Sequence, residues 1–251
     1  MPRLLVIAGS DSSAGAGLQA DLKTAQRFHV YAQTAVTAIT AQDTNGVHAV
    51  EVVEPRLVRR QIEAALNDIG ADAVKIGMLA NGAIVAAVAG ALESTEVPLV
   101  IDPVLAASSG APLLDKEGME RLVSRLFPNA ALVTPNLVEA EKLSGTADMA
   151  AAAAWFLAQG VPAVLIKGGH GEGEIVRDVL FETGGRKTVF ESARQPSRHT
   201  HGTGCALATA IACGLAQGKA LPDAVRLAHQ FVQDAIRAAP GLGAGHGPLG
   251  I

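Results

Sequence analysis

Short apolar or β-branched runs alternate with longer helical stretches along nearly the whole chain, and no other feature of the sequence restricts the fold so much. Residues 4–8, 34–40, 73–76, 98–101, 131–133 and 163–166 read as short strands bounded by turn-forming residues. Between them the periodicity predicts helices. One follows Gly17, with Leu18, Leu22, Ala25 and Phe28 on a common face. Others cover 55–68, beginning at Pro55, and 82–93, 115–126, 136–143 and 148–159. Strand and helix in this order predict an α/β fold, a mostly parallel central sheet flanked by helices on both faces. Residues 178–182 and 187–191 read as a hairpin about Gly184-Gly185, which adds antiparallel strands near one edge. No linker, repeat or low-complexity run interrupts the pattern, so one domain is expected over residues 1–251.

Such a sheet needs a large core, and 49% apolar residues against 18% charged can supply it. The net charge of −4, without strong basic clusters, argues against a nucleic-acid groove. One Trp, one Tyr and six Phe are too few for base-stacking platforms. Runs such as 84–92 and 150–158 are too short to cross a membrane, and 4–8 is too short for a signal-peptide core. The two cysteines, Cys205 and Cys213, would lie about 12 Å apart on one helix, too far for a disulfide. A reduced, cytoplasmic setting is expected.

Residues 199–218, HTHGTGCALATAIACGLAQG, hold no charged group from Gly202 to Gln217. Helix is predicted over 203–217, apolar on every side and hence buried. Its first turn carries no Asp or Glu to offset the partial positive charge of the helix end. Gly202 and Gly204 let a ligand approach the backbone, so an anion site is expected there, with Cys205 in the first turn. The same dipole predicts a Cys205 thiol shifted toward neutrality, and an inert Cys213 two turns deeper.

In open parallel sheets ligands bind at the carboxyl ends of the strands. Those ends carry Asp21 (just inside the first helix), Gln42, Met78, Asp102, Asn136, Glu139 and Lys167. Plainer readings stand beside each. Asn136 and Glu139 have the spacing of a capping box. Asp102-Pro103 suits a turn, Lys167 a solvated lysine, and Met78 and Cys213 the core. Gly15-Ala-Gly17-Leu-Gln-Ala20 fits a dinucleotide fingerprint, but it begins six residues past Gly9 rather than at the strand end, which argues against a nicotinamide oxidoreductase. His170, His199 and His201 show no metal-ligand spacing.

Seven segments occur in a fixed order: AGSDSSAGAGLQADLKT, TAQDTNGV, KIGML, DPVLAASSGAPLL, TPNLVEAEKL, LIKGGH and THGTGC. Together they resemble the hydroxymethylpyrimidine/phosphomethylpyrimidine kinases of thiamine biosynthesis, over about residues 4 to 249. The Cys after Gly-Thr-Gly is informative, because ribokinase and many relatives carry Asp there. The resemblance implies a ribokinase-like three-layer fold. It also implies ATP- and Mg²⁺-dependent phosphoryl transfer to the hydroxymethyl group of an aminopyrimidine, then to the monophosphate, in a homodimer. Asp21 and Gln42 would bind the pyrimidine, and Met78 and Val104 would wall the ring. Cys205 would be the base or its close partner. Gly202, Thr203 and Gly204 would hold the transferring phosphoryl group through backbone N–H donors, and Lys167 would neutralise the ATP phosphates. Asp102, Asn136 and Glu139 would organise Mg²⁺, directly or through waters.

The sequence departs from the family pattern at Ala14 (usually Gly), Asp43 (usually Asn), Ser108 (frequently Lys) and His199 (commonly Asn). Asp43 adjoins the expected pyrimidine ligand Gln42 and so bears most on substrate preference. A pyridoxal kinase on the same fold and a non-catalytic pyrimidine-binding protein are the alternatives. Lys167, Cys205, Asp102 and Glu139 argue against the second.

Overall fold

Aliphatic side chains alternate along the central strands, and each strand thereby feeds two cores at once. The computed structural model describes residues 1–107, 110–169, 171 and 173–251. Ser108 and His170 therefore lie outside the described residues. The strands are β1 (Arg3–Asp11), β2 (Tyr31–Gln42), β3 (Val47–Val52), β4 (Ala73–Ile76), β5 (Leu99–Ile101), β6 (Leu132–Val133), β7 (Ala163–Ile166), β8 (Ile175–Glu182) and β9 (Lys187–Ala193). They form one nine-stranded sheet in the order β3-β2-β1-β4-β5-β6-β7-β8-β9. The pairs from β2 through β7 run parallel, with Leu5 opposite Val74 and Val74 opposite Leu99. The outer pairs β2–β3, β7–β8 and β8–β9 are antiparallel.

The first helices are α1 (Gly17–Arg27), α2 (Pro55–Asp68), α3 (Gly82–Leu92) and α4 (Lys116–Arg121). They are followed by α5 (Leu137–Ser144), α6 (Met149–Ala158), α7 (Thr203–Ala216) and α8 (Leu221–Arg237). Leu5, Ile7, Val74 and Ile76 point to one face, where α2, α3 and α6 add Val58, Ile62, Ile84, Val88 and Phe156. Leu4, Val6, Ala73 and Val100 point to the other, where α7 and α8 add Leu207, Ile211 and Val225. Strands covered on both faces need continuous apolar runs, as β5 and β7 have, and β4 departs from this at Lys75. The result is the expected three-layer α/β fold.

Several elements differ from expectation. β1 and β2 are longer than the runs that announced them. β3 was not foreseen: five of its six residues are exposed, so it shows no burial alternation to read. The helix expected over 115–126 becomes α4, a π-helical stretch at Leu122–Leu126 and a 3₁₀ turn at Phe127–Asn129, where Pro128 cannot continue the hydrogen-bond ladder. On α1 the expected apolar face is wrong at Leu22, which is 41% exposed. Asp21 and Thr24 are buried instead beside Leu18 and Ala25. A polar pair sits where the hydrophobic pattern had placed Leu.

α7 is the axis of its layer, buried from Ala206 to Gly214. Its start is fixed by Gly202 at φ 88°, the left-handed region, where a Cβ would collide with the Gly15 carbonyl. This contact seats the first turn of α7 against the loop after β1.

Candidate active site

The carboxyl ends of the parallel strands converge on the first turn of α7. That turn has no acidic residue and no side-chain cap, and of its first N–H groups Thr203 donates to the Thr200 carbonyl at 3.2 Å. Three polar clusters meet there.

The first lies at the ends of β5, β6 and β7. Lys167 Nζ donates to Asp102 Oδ1 at 2.8 Å, and the Thr134 hydroxyl donates to the same oxygen at 3.2 Å. A Cβ on Gly204 would lie 3.3 Å from both Asp102 Oδ2 and Lys167 Nζ, so only a bare backbone leaves this approach open. Asn136 and Glu139 form the expected capping box, each side chain bonded to the other's backbone N–H at 2.8 Å. Burial pushes the Glu139 carboxyl up to about 7, against the pull of Lys167. Burial also works against the Lys167 charge, but Asp102 and Glu139 outweigh it, and its pKa is raised.

The second cluster lies beneath Cys205. Lys75, in the middle of β4, donates to Asp21 Oδ2 at 2.8 Å, and Thr209 of α7 donates to Asp21 Oδ1 at 2.7 Å. Neither partner of the ion pair has any exposed side-chain surface. Burial pushes the Asp21 carboxyl up, against the pull of Lys75 and of the Thr209 hydrogen bond. The Lys75 pKa is raised: burial opposes its charge, and Asp21, Cys205 and Asp102 outweigh burial. Asp21 was expected to touch the pyrimidine. It is enclosed and both its oxygens are engaged, so the geometry makes it the partner of Lys75 instead.

The expected low-pKa Cys205 is also corrected. Part of the residue reaches the surface, but burial pushes its thiol up to about 11; Lys75 pulls it down, and Asp21 and Asp102 push it up. The helix dipole, which the sequence shows, is outweighed by desolvation, which it does not. Cys213 is fully buried and pushed up to about 12.

The third cluster lies at the ends of β1 and β2. Asp11 accepts the Ser13 and Ala16 N–H groups at 2.8 Å each, and His201 Nε2 lies 2.8 Å from its Oδ2. Burial pushes Asp11 up, but His201 and the turn donors bring it below the usual carboxylate range. Gln42 Nε2 lies 3.2 Å from the same His201 nitrogen. A ring N–H that donates to Asp11 has no lone pair for an amide NH₂. The donor count is satisfied with the Gln42 carbonyl turned toward His201 and its NH₂ toward Thr40, whose hydroxyl donates to the Ser10 carbonyl at 3.0 Å. One N–H and one oxygen lone pair of Gln42 then remain for a ligand. Gln42, Asp43, Thr44, Asn45, Ala107 and His201 line one small cleft.

Met78 is 8% exposed, its sulfur against the Gly9 backbone and its carbonyl accepting from Thr37 at 2.6 Å; Val104 is half-buried. Asp43 pairs with His48 at 3.0 Å and caps the turn through Asn45 and Gly46; the His48 hydrogen bond, then the turn N–H groups, hold its carboxyl at about 2. Sequence reasoning missed Lys75, Asp11 and His201. A lysine inside the run Ala-Val-Lys-Ile was a readable signal, since a fully buried charge needs a partner. Asp11 and His201 are 190 residues apart, and nothing local announces their contact.

A family model described as phosphomethylpyrimidine kinase matches residues 11–250. The chain is 44% identical over 253 residues to the hydroxymethylpyrimidine/phosphomethylpyrimidine kinase of Streptomyces coelicolor, covering 99% of this chain and 93% of that protein. It is similar to the crystal structure of phosphomethylpyrimidine kinase from Clostridium difficile 630, with TM-score 0.83 and 39% identity over 94% of this chain and 100% of that one. It is also similar to Bacillus subtilis pyridoxal kinase in an ADP complex, with TM-score 0.92 and 37% identity over 99% of this chain and 97% of that one. Shape alone therefore does not separate the two kinase activities.

Proposed function

The chain belongs to the phosphomethylpyrimidine kinase family, and from that premise we propose that it phosphorylates hydroxymethylpyrimidine with ATP and then phosphorylates the monophosphate, in thiamine biosynthesis. The observation that carries this reading is the Lys167–Asp102 pair against the bare backbone of Gly204 at the start of α7. A cation, free helix N–H groups and a glycine approach in one place suit a transferring phosphoryl group.

In the reaction the acceptor oxygen forms a bond to the γ-phosphorus while the bond to the bridging oxygen breaks, and that electron pair leaves with ADP. Such transfer relies on positioning and charge neutralisation. Gly202 and Gly204 offer backbone N–H groups to the phosphoryl oxygens, Thr203 joins them on releasing the Thr200 carbonyl, and Lys167 moves its ammonium from Asp102 to phosphate. Gln42 reads the pyrimidine edge, with Met78 and Val104 beside the ring. The hydroxyl proton goes to Cys205, which must be thiolate to take it; the raised thiol makes that form scarce at neutral pH.

Mg²⁺ neutralises phosphate charge when bound. Asp102 fits it, because its hydrogen bonds fall on Oδ1 and leave Oδ2 for a cation. Glu139 adds a second carboxylate. Asn136 has its side-chain oxygen committed to the Glu139 N–H, so it holds the helix and would act on a metal only through water. The same reading carries a single kinase domain over 1–251, a cytoplasmic location and a homodimer, for which Ile39, Val50 and Val52 offer an exposed apolar edge at β2–β3.

Pyridoxal is the second substrate reading, favoured by the higher TM-score to the pyridoxal kinase. ATP consumption with hydroxymethylpyrimidine, its monophosphate and pyridoxal, each with and without Mg²⁺, tests the proposal. Mg²⁺-dependent turnover of both pyrimidines is expected; turnover of pyridoxal alone would replace the first reading with the second.

A further inference from the structure

We propose that Lys75 is a positioning residue for phosphoryl transfer, the fixed positive charge in the floor of the site that holds negative charge at Cys205. The inference rests on the reading of Cys205 as the acceptor of the hydroxyl proton. Lys75 stands on β4, between β1 and β5 in the middle of the sheet, with no exposed surface. Its ammonium reaches toward the carboxyl end of its strand, 3.0 Å from where a Gly77 Cβ would lie. Among the described residues one of its N–H donors is taken, by Asp21. The Asp21 carboxylate is clamped from the other side by Thr209, four residues beyond Cys205 and so on the same face of α7. α1, β4 and α7 are thus tied together by one ion pair directly below the first turn of α7.

Stability alone does not account for the pair. Well-packed apolar side chains of similar volume are often as stabilising as a buried ion pair, or more so. Its second consequence is electrostatic. The groups whose charges act on Cys205 are Lys75, which favours the thiolate, and Asp21 and Asp102, which oppose it; Lys75 has the largest effect of the three. Lys167 is likewise coupled to the thiol from the β7 side. Lys75 differs from Lys167 in being sealed. No ligand can draw it away, so its charge is present in every step, including the step in which Lys167 is engaged by phosphate.

The test replaces the pair as a unit and separately unbalances it. Lys75→Met with Asp21→Asn removes both charges at similar volume. The expected result is a melting temperature equal to wild type or higher. The alkylation rate of Cys205 by iodoacetamide at fixed pH should fall roughly tenfold, as one unit of thiol pKa requires. Turnover should fall by a similar factor, with KM for ATP unchanged. Asp21→Asn alone takes away the carboxylate that chiefly outweighs burial at Lys75, so the sealed lysine gives up its proton and Cys205 alkylation should fall as in the double variant. Alkylation is followed by mass spectrometry, which separates Cys205 from Cys213. Unchanged alkylation and turnover in a folded double variant would overturn the proposal and leave the pair structural. If the double variant does not fold, unchanged or faster Cys205 alkylation in Asp21→Asn would overturn it. A wild-type protein that turns over no pyrimidine, with both variants still slower in Cys205 alkylation, would sink the substrate reading and leave the Lys75 inference standing.

Discussion

The molecule holds two lysine–aspartate pairs with the same contact, 2.8 Å from Nζ to a carboxylate oxygen. Lys75–Asp21 has no exposed side-chain surface at either partner; at Lys167–Asp102 the lysine keeps 14% and the aspartate 3%. The two lie on either side of the first turn of α7 and differ in what closes them. Thr209 and the packed α1 seal the first, while the second faces Gly204, where no side chain intervenes. On the proposed reading, equal bonds serve different ends: a pair that cannot exchange partners supplies a constant field, and a pair at an opening holds a cation ready for an incoming anion. Bond length alone carries no information about role; access does.

The sharpest way to break this comparison is to remove the exchangeable lysine. Lys167→Met should lower kcat by about 10²–10³, the usual loss for one preorganised donor to developing charge, and weaken ATP as well. Steady-state kinetics check this, and a loss confined to the pyrimidine KM would place Lys167 elsewhere.

Cys205→Ser ranks next. Removal of a general base costs about 10²–10⁴, and a thiol pushed up to about 11 puts the expectation at the lower end, near 10² in turnover. Near-wild-type turnover in the Ser variant would leave Cys205 as a small residue lining the site. It would also detach the sealed pair from the chemistry.

Much of the fold was legible in the sequence. Residues 73–76 and 163–166 were read to the residue as β4 and β7: 163–166 is a continuous apolar run between turn residues, and 73–76 keeps three apolar residues of four about Lys75. β3 was not legible, since a strand exposed at five of its six positions has no buried face to announce it. In the site, the residues at strand ends were readable from topology, as Asp102, Gln42 and Lys167 show. Their partners were not. Asp21, just inside α1, was expected as a ligand from the family resemblance, and its enclosure by Lys75 and Thr209 is not visible in the sequence. Cys205 was misjudged for the same reason: a helix dipole can be inferred from Gly-Thr-Gly, whereas desolvation depends on elements far away in the chain.

Two smaller effects sharpen the contrast between the pyrimidine end and the phosphate end. Gln42→Ala should cost roughly 1–3 kcal/mol in pyrimidine affinity, the penalty for leaving a buried polar edge unpaired, with KM for ATP little changed. Equal weakening of both ligands would show that the His201–Gln42 cluster supports the whole site instead of one substrate. Glu139→Gln should raise the Mg²⁺ concentration needed for half-maximal rate, with melting temperature nearly constant, because Gln still serves the capping box. A lower melting temperature with an unchanged Mg²⁺ requirement would assign Glu139 to capping alone.

The most direct measurement is a crystal structure with a non-hydrolysable ATP analogue and Mg²⁺ bound. The account predicts that Lys167 Nζ leaves Asp102 for a phosphate oxygen over the Gly204 backbone, while Lys75 Nζ stays at 2.8 Å from Asp21. A nucleotide bound with the Lys167–Asp102 contact intact and its phosphates away from α7, or with the Lys75 pair opened, would contradict it.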